Sequence, residues 1–376
     1  MEHYLDNSAT TRVCDEAAEA ALNAMQNIYG NPSSTHTKGR EAKKLLDSSR
    51  KEIAHALGCA PEELIFTSCG TESDNTAIIR GAESRQRTGK HIISSSVEHD
   101  AVRRSLSLME EKGFEVTYLK PDSKGAIRAE DVASVLRDDT VLVSLMLVNN
   151  ETGAVTDIKA VSDVLKAAGS RALLHTDAVQ AFLKIPFSAD NLGADMISIS
   201  GHKVHAPKGV GALYIRKGLK LKPFILGGGQ EYGLRAGTEA MPQIAAFAAA
   251  VKAAYPKMPE YTNRMRTLKE ELEDCIASAI PWAVFIGGDA PHILSLSLPG
   301  FRSEVLMNYL EARDIYVSKS SACKKGGRSH VLESIGLDSR IIDGALRVGL
   351  SRFTSEADTE AFADAVIEAS ASLAHR

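Results

Sequence analysis

The sequence predicts an α/β protein: a large domain with a mostly parallel sheet covered by helices, followed by a smaller α+β domain. Three observations carry that expectation. Short runs that are apolar almost throughout alternate with amphipathic stretches of helical period, the pattern of strands buried on both faces. After Lys257 the texture changes, and a long charged helical stretch leads into shorter strand and helix signals. At 376 residues the chain is long enough for two cores.

Strands are expected at Glu63–Thr67 (ELIFT), His91–Ser95 (HIISS), Thr140–Val148 (TVLVSLMLV), Ala172–Thr176 (ALLHT), Asp195–Ser200 (DMISIS) and Gly211–Ile215 (GALYI). Helical segments such as Asp100–Lys112 and Ala160–Ala168 separate several of them. The alanine-rich run Ile244–Tyr255, closed by Pro256, reads as a packed helix because it is too short to span a bilayer. Glu260–Ala277 and Glu356–Ala374 are later helix candidates. The boundary falls near Ala254, so that residues 15–254 form the large domain and residues 1–14 with 255–376 the small one.

Hydrophobic residues make up 44% and charged residues 24%, ordinary values for a soluble globular chain. A net charge of -4 and a pI near 6.3 give no sign of a nucleic-acid or anionic-membrane partner. The opening MEHYLDNSATT has neither the basic region nor the apolar core of a signal peptide. Five cysteines (Cys14, Cys59, Cys69, Cys275 and Cys323) are scattered, odd in number and without a CxxC pair. That argues against a disulfide framework and a zinc site, and for a reduced, cytoplasmic setting.

In open α/β sheets ligands bind beyond the carboxyl ends of strands. Ser68-Cys69-Gly70-Thr71-Glu72 follows ELIFT and opens a helix, so its free N–H groups could hold a phosphate. Equally, Thr71 could merely cap that helix, with Asp74 completing a capping box. Asp177 and Gln180 lie at the end of ALLHT, where a buried acid needs a cationic partner such as a protonated pyridine nitrogen. A helix N-cap is the plainer alternative for Asp177. Lys203, in Ser200-Gly201-His202-Lys203 after DMISIS, could discharge its amine by forming a Schiff base with an aldehyde, or could be a surface lysine in a turn. His202 and His205 have no carboxylate or thiolate at ligand spacing, so no metal is expected and a structural or phosphate-side role fits better. His99 and Asn150 also follow strands, where they could contact a ring. Each signal alone is weak; together they describe a pyridoxal-phosphate pocket.

Cys323 stands in SKSSACKKGGRSH, between small residues and Gly326-Gly327, which indicates an exposed loop. Lys324, Lys325 and Arg328 favour its thiolate, the nucleophilic form. Cys59 and Cys275 sit in helical patterns among apolar neighbours and are expected to be small buried hydrophobes. Arg347, in LRVGLSRF, offers a fork suited to an α-carboxylate, and Arg352 competes for that role.

The chain resembles a cysteine desulfurase of the NifS/IscS type, within the aminotransferase class V group of fold-type I pyridoxal-phosphate enzymes (the aspartate-aminotransferase-like fold). The resemblance runs almost end to end through LDNSATT, GNPSSTH, FTSCGTESDN, SSVEHDAV, VNNETGAV, HTDAVQ, SISGHKVHAPKGVGALYIR, LGGGQEYGLRAGT, SSAC and LRVGLSRFT. It implies that Lys203 forms the Schiff base with the cofactor and that His99 stacks on the ring and moves protons. Asp177 would hold the pyridine nitrogen, Gln180 and Asn150 the ring side, and Gly70, Thr71, Ser200 and His202 the phosphate. Thr238 would reach the phosphate from the second subunit of a homodimer, and Arg347 with Asn31 would bind the carboxylate of L-cysteine. Cys323 would take the sulfur as a persulfide, leaving L-alanine, for an acceptor protein in iron–sulfur cluster assembly or other sulfur trafficking. Selenocysteine lyase, or another reaction on the same scaffold, is the alternative. KKGGR replaces the usual small and acidic residues after the cysteine and shortens that stretch by about two residues, which leaves the acceptor open.

Overall fold

The computed structural model describes residues 2–319 and 328–373, so Cys323 lies outside the described residues. Thirteen strands are described: β1 (His3–Tyr4), β2 (Leu64–Thr67), β3 (His91–Ser95), β4 (Glu115–Leu119), β5 (Thr140–Ser144), β6 (Leu173–Asp177), β7 (Met196–Ser200), β8 (Gly211–Ile215), β9 (Val284–Ile286), β10 (Ile293–Ser297), β11 (Ile315–Tyr316), β12 (Ser318–Lys319) and β13 (Ala345–Gly349). Seven of them form the large sheet, in the order β2-β8-β7-β6-β5-β3-β4. The block from β4 to β7 is parallel. β8 runs antiparallel to both β7 and β2.

Period-two alternation explains why these strands read as unbroken apolar runs. Leu64, Phe66, Ile93, Val143, Leu174, Ile197 and Ala212 join one buried cluster. Their chain neighbours Ile65, Ile92, Leu142, Leu173, Met196 and Leu213 join another on the opposite face. Helices Thr37–Leu57, Ile158–Ala167 and Met241–Ala254 contribute to the first cluster. Asp100–Glu111 contributes to the second.

β4 escapes the sequence reading because it is an edge strand, with exposed Glu115 and Tyr118 in an otherwise half-buried run. The expected strand Thr140–Val148 is also corrected: β5 stops at Ser144. Beyond it the chain still follows β6, with Leu145 N donating to His175 O and Leu147 N to Asp177 O, but Val148 turns aside to bridge Val155. Four of the five expected helices keep their places with ends shifted by one or two residues, to Asp100–Glu111, Ile158–Ala167, Met258–Ala279 and Glu356–Ser372, and the fifth, expected at Ile244–Tyr255, starts three residues earlier as Met241–Ala254.

A second core lies around the four-stranded antiparallel sheet β12-β13-β10-β9. Leu294, Leu296, Leu346 and Val348 pack there against Leu268 and Leu272 of Met258–Ala279 and Phe362 and Val366 of Glu356–Ser372. The chain start belongs to this core: Leu5 is fully buried in it, and β1 pairs in parallel with β11. Two cysteine expectations are corrected. Cys275 is exposed on its helix, and Cys59 is half-buried just beyond Gly58, where the preceding helix ends in a left-handed turn.

Candidate active site

A cleft of about 350 Å³ opens at the carboxyl ends of the parallel strands, a size suited to a small organic ligand. Ten residues singled out from the sequence line it: Gly70, Thr71, His99, Asn150, Asp177, Gln180, Ser200, His202, Lys203 and Arg347. Asn31 and Thr238 are exposed and do not line it in this chain, and Asn31 instead accepts from Ser33 N through Oδ1 at 2.9 Å.

Lys203 lies in a single tight turn after β7. Its Nζ donates to the carbonyls of Ser8 (2.6 Å) and Ala9 (2.7 Å), so it points into the cleft rather than to bulk solvent. The segment that supplies these carbonyls is clamped across the same turn: Thr11 N and Oγ1 both donate to His202 O. His202 approaches Thr10 Oγ1 at 3.2 Å, and burial pulls its pKa down to about 3, which leaves it neutral. His205 is held in a left-handed backbone conformation (φ 68°) with Nδ1 2.9 Å from Arg12 O, which makes it a structural residue.

The phosphate-like end is built from Gly70 and β7. Helix Gly70–Asn75 begins at Cys69, whose side chain makes no capping bond. The expected capping by Thr71 and Asp74 is therefore corrected: Asp74 is buried, and the first-turn N–H groups keep their polarity for a ligand. A Cβ on Gly70 would sit 2.8 Å from Val179 Cγ2 and 3.4 Å from Ser200 Cβ, so glycine lets these walls meet. Ser200 Oγ beside it is buried and, among the described residues, has no hydrogen-bond partner, so it is left with a hydroxyl to donate into the cleft. Glu72 stabilises the turn from outside, accepting from Ser68 N at 2.8 Å and pairing with Arg235 at 3.0 Å.

Asp177 ends β6 and is 6% exposed. Its Oδ1 accepts from Val179 N at 2.9 Å, an Asx-type turn rather than the N-cap of a helix. Burial raises its pKa, His99 and Lys203 pull it back, and among the described residues it forms no ion pair. Such an acid fits a cationic ligand atom. Gln180 donates to Ser8 O at 2.8 Å, and its buried Oε1 has no partner among the described residues. His99 caps the helix Asp100–Glu111 by accepting from Ala101 N through Nδ1, which assigns any neutral-state proton to Nε2.

Arg347 sits in mid-β13, 2% exposed. It donates to Asn150 O (2.8 Å), Ser318 Oγ (2.8 Å) and Asp6 Oδ1 (3.1 Å), while its buried Nε has no partner among the described residues. Arg352 lies instead against the rings of Phe353 and Tyr261 and does not line the cleft. Sequence reasoning gave Asp74 the wrong role and missed Glu151, Ser8 and His330, which also line it. Glu151 is 5% exposed, accepts from Ser329 Oγ, and is pushed by burial up to about 7. Acids beside marked residues, as in TESDN and NNETG, were the available signal; Ser8 lay in the motif LDNSATT, but nothing local ties it to Lys203, almost two hundred residues on.

The aminotransferase class V family model matches residues 3–362. "Cysteine desulfurase 2" of Trichormus variabilis is 41% identical over 95% of this chain and 90% of that protein. "Cysteine desulfurase IscS" of Methanosarcina thermophila is 39% identical over 97% of this chain and 91% of that protein. Among solved structures, a "NIFS-LIKE PROTEIN" is similar with a TM-score of 0.94 and 38% identity, covering 99% of this chain and 100% of its own. "SspA in complex with cysteine" follows with a TM-score of 0.82 and 32% identity, covering 94% and 100%.

Proposed function

Because the chain belongs to the aminotransferase class V family and matches cysteine desulfurases almost end to end, it is a cysteine desulfurase, and we propose that it converts L-cysteine to L-alanine on bound pyridoxal phosphate with Cys323 as sulfur acceptor. One observation carries the cofactor assignment: buried Asp177, Ser200 Oγ (without a partner among the described residues) and the Lys203 amine face one cleft. The residues fit the cofactor's three chemical ends. Gly70, Thr71, Ser200 and His202 would hold the phosphate, Asp177 the ring nitrogen, and His99, Asn150 and Gln180 the ring. When bound, the cofactor supplies an electron sink next to the substrate Cα.

The chain's own groups do the rest. Arg347 fixes the substrate carboxylate, since a planar fork fixes orientation as well as charge. Lys203 Nζ takes the Cα proton, and the Ser8 and Ala9 carbonyls offer acceptors that orient it. Weakening of the Cβ–S bond then lets the Cys323 thiolate attack the substrate sulfur. A new S–S bond forms, the C–S bond breaks with its electrons returning to carbon, and protonation yields alanine. Cys323 is assigned from the sequence, where Lys324, Lys325 and Arg328 favour its thiolate.

The exposed position of Thr238, away from its own cleft, suits a residue that serves a second subunit, and a homodimer is the proposed assembly. Two cores support a division near residues 15–254 and residues 1–14 with 255–376, with Cys14, Ala290 and Ile293 packing into the first. Among the described residues no helix is long and apolar enough to cross a membrane. The proposed setting is the cytoplasm, and the proposed destination of the persulfide is an acceptor protein in iron–sulfur cluster assembly or other sulfur trafficking. The test is alanine formation from L-cysteine by Cys323→Ala, in protein whose absorbance near roughly 400 nm shows the cofactor in place. A fall of at least about a hundredfold is expected, as for loss of an essential nucleophile. Full alanine production would overturn the assignment of Cys323, and turnover confined to selenocysteine would favour a lyase.

A further inference from the structure

The segment that ends at Thr238, residues 225–238, is rich in glycine and is pinned at a buried point. Its glycines are Gly227, Gly228, Gly229, Gly233 and Gly237, so without a pin the backbone would sample many conformations. Among the described residues, its hydrogen bonds to the rest of the chain run through Glu231 and Arg235. The others close the segment on itself, as from Ala236 N to Ile225 O and from Gly237 N to Gln230 Oε1.

Glu231 is 5% exposed, and Arg50 on the helix Thr37–Leu57 is 4% exposed. They pair as a fork: Arg50 Nη1 donates to Oε2 and Nη2 to Oε1, both at 2.7 Å. Glu231 Oε2 also accepts from Phe66 N, and Arg50 Nη1 donates to Leu64 O, each at 2.7 Å. Leu64 and Phe66 belong to β2, the end strand of the large sheet, so the pair satisfies backbone groups that the edge leaves free. Phe66 is fixed independently, paired with Ala212 of β8 and packed in the first core. The Arg50 guanidinium also lies over the rings of Phe66 (4.7 Å) and Tyr232 (5.2 Å). Glu231 (φ 47°) and Tyr232 (φ 58°) both hold the left-handed conformation, which residues other than glycine keep only where their surroundings impose it. Here the arginine fork and the ring contact impose it.

We propose that the Arg50–Glu231 pair is a positioning device for the partner's cofactor site: by fixing the strained turn at Glu231 and Tyr232, it sets where Thr238 arrives at the phosphate bound in the second subunit. The inference rests on reading Thr238 as a residue that serves that subunit. Glu231→Gln would leave Arg50 buried without its counter-ion and turn an amide NH2 toward a donor. The segment would shift, while β2 stays held by β8.

Mixed dimers, co-expressed with two affinity tags, test this. Lys203→Ala abolishes Schiff-base formation in the chain that carries it, so absorbance near roughly 400 nm reports the other chain's site alone. In the first dimer one chain carries both Lys203→Ala and Glu231→Gln, and the other chain is native. In the second dimer one chain carries Lys203→Ala and the other Glu231→Gln. Both dimers hold the same substitutions, so a merely structural defect lowers their Tm alike and does not favour the second. The cofactor dissociation constant is expected to be about tenfold higher in the first dimer than in the second, on the scale of one weakened phosphate hydrogen bond. Equal constants, or weaker binding in the second dimer, overturn the proposal. Should Glu231→Gln fold poorly, Arg50→Lys takes its place in both arrangements with the same expectation, since it keeps the charge and loses the fork. Thr238→Ala in the place of Glu231→Gln separates the two readings. If its first dimer binds the cofactor normally, Thr238 does not serve the second subunit and both readings fall. If Thr238→Ala weakens that site and Glu231→Gln does not, only the positioning role of the pair falls.

Discussion

Arg347 shows how much one side chain can be asked to do. Held by Asn150 O, Ser318 Oγ and Asp6 Oδ1, its guanidinium is locked before any substrate arrives. A lysine could replace the charge but not the fork, so Arg347→Lys should raise KM for L-cysteine by about ten- to a hundredfold, measured by steady-state alanine release. Glu151 makes a different prediction. Its folded pKa is raised from 4.5 to about 7 by burial, with the Ser329 bond acting the other way. The stability tied to this neutral carboxyl is present below the unfolded pKa and is lost as pH rises through about 7. The loss is on the order of 3 kcal/mol across that window. Glu151→Gln should flatten it: in thermal unfolding at pH 5 and pH 8 the variant's Tm should change less than the native protein's.

Among the elements, the turn between β2 and the helix Gly70–Asn75 is the one whose sequence and geometry agree most directly. The small residues mark a turn, and the structure adds that Val179 and Ser200 close in on Gly70 from two other elements. Gly70→Val should force these walls apart at a cost of about 1–3 kcal/mol. Cofactor affinity should fall about tenfold or more, read as a raised dissociation constant in a fluorescence titration, with the overall fold retained by circular dichroism. Strand boundaries were legible where both faces are buried, as in β3 and β8, because periodicity there is imposed by packing on each side. They failed at β4, where an edge carries polar residues, and at β5, where an apolar run leaves the sheet while still buried.

At the scale of the whole molecule, the chain start ties the two cores together at the cleft. β1 pairs with β11, Leu5 fills the second core, and Gly349 has no side chain where Ser8 passes, since a Cβ there would lie 2.5 Å from Ser8 N. The same segment offers Ser8 and Ala9 to Lys203 and Ser8 to Gln180. Deleting residues 2–9 should therefore lower Tm and abolish turnover together, whereas loss of an incidental tail would touch neither. Removing Leu5 alone costs about 2–5 kcal/mol on the scale of buried leucines, so a calorimetric scan of the truncated chain should show the shift clearly.

The sequence by itself determined the α/β class, most of the parallel strands, the order of cleft residues along the chain and the family, because local pattern and motif order are written in consecutive residues. Tertiary structure decided what local pattern cannot encode. It placed Arg347 rather than Arg352 in the cleft, brought Ser8 to Lys203 across almost the whole large domain, left Thr238 and Asn31 outside, and buried Asp74 and Glu98. Each of these depends on contacts between residues far apart in the chain, where burial and the company of other charges, not residue type, fix a side chain's chemistry.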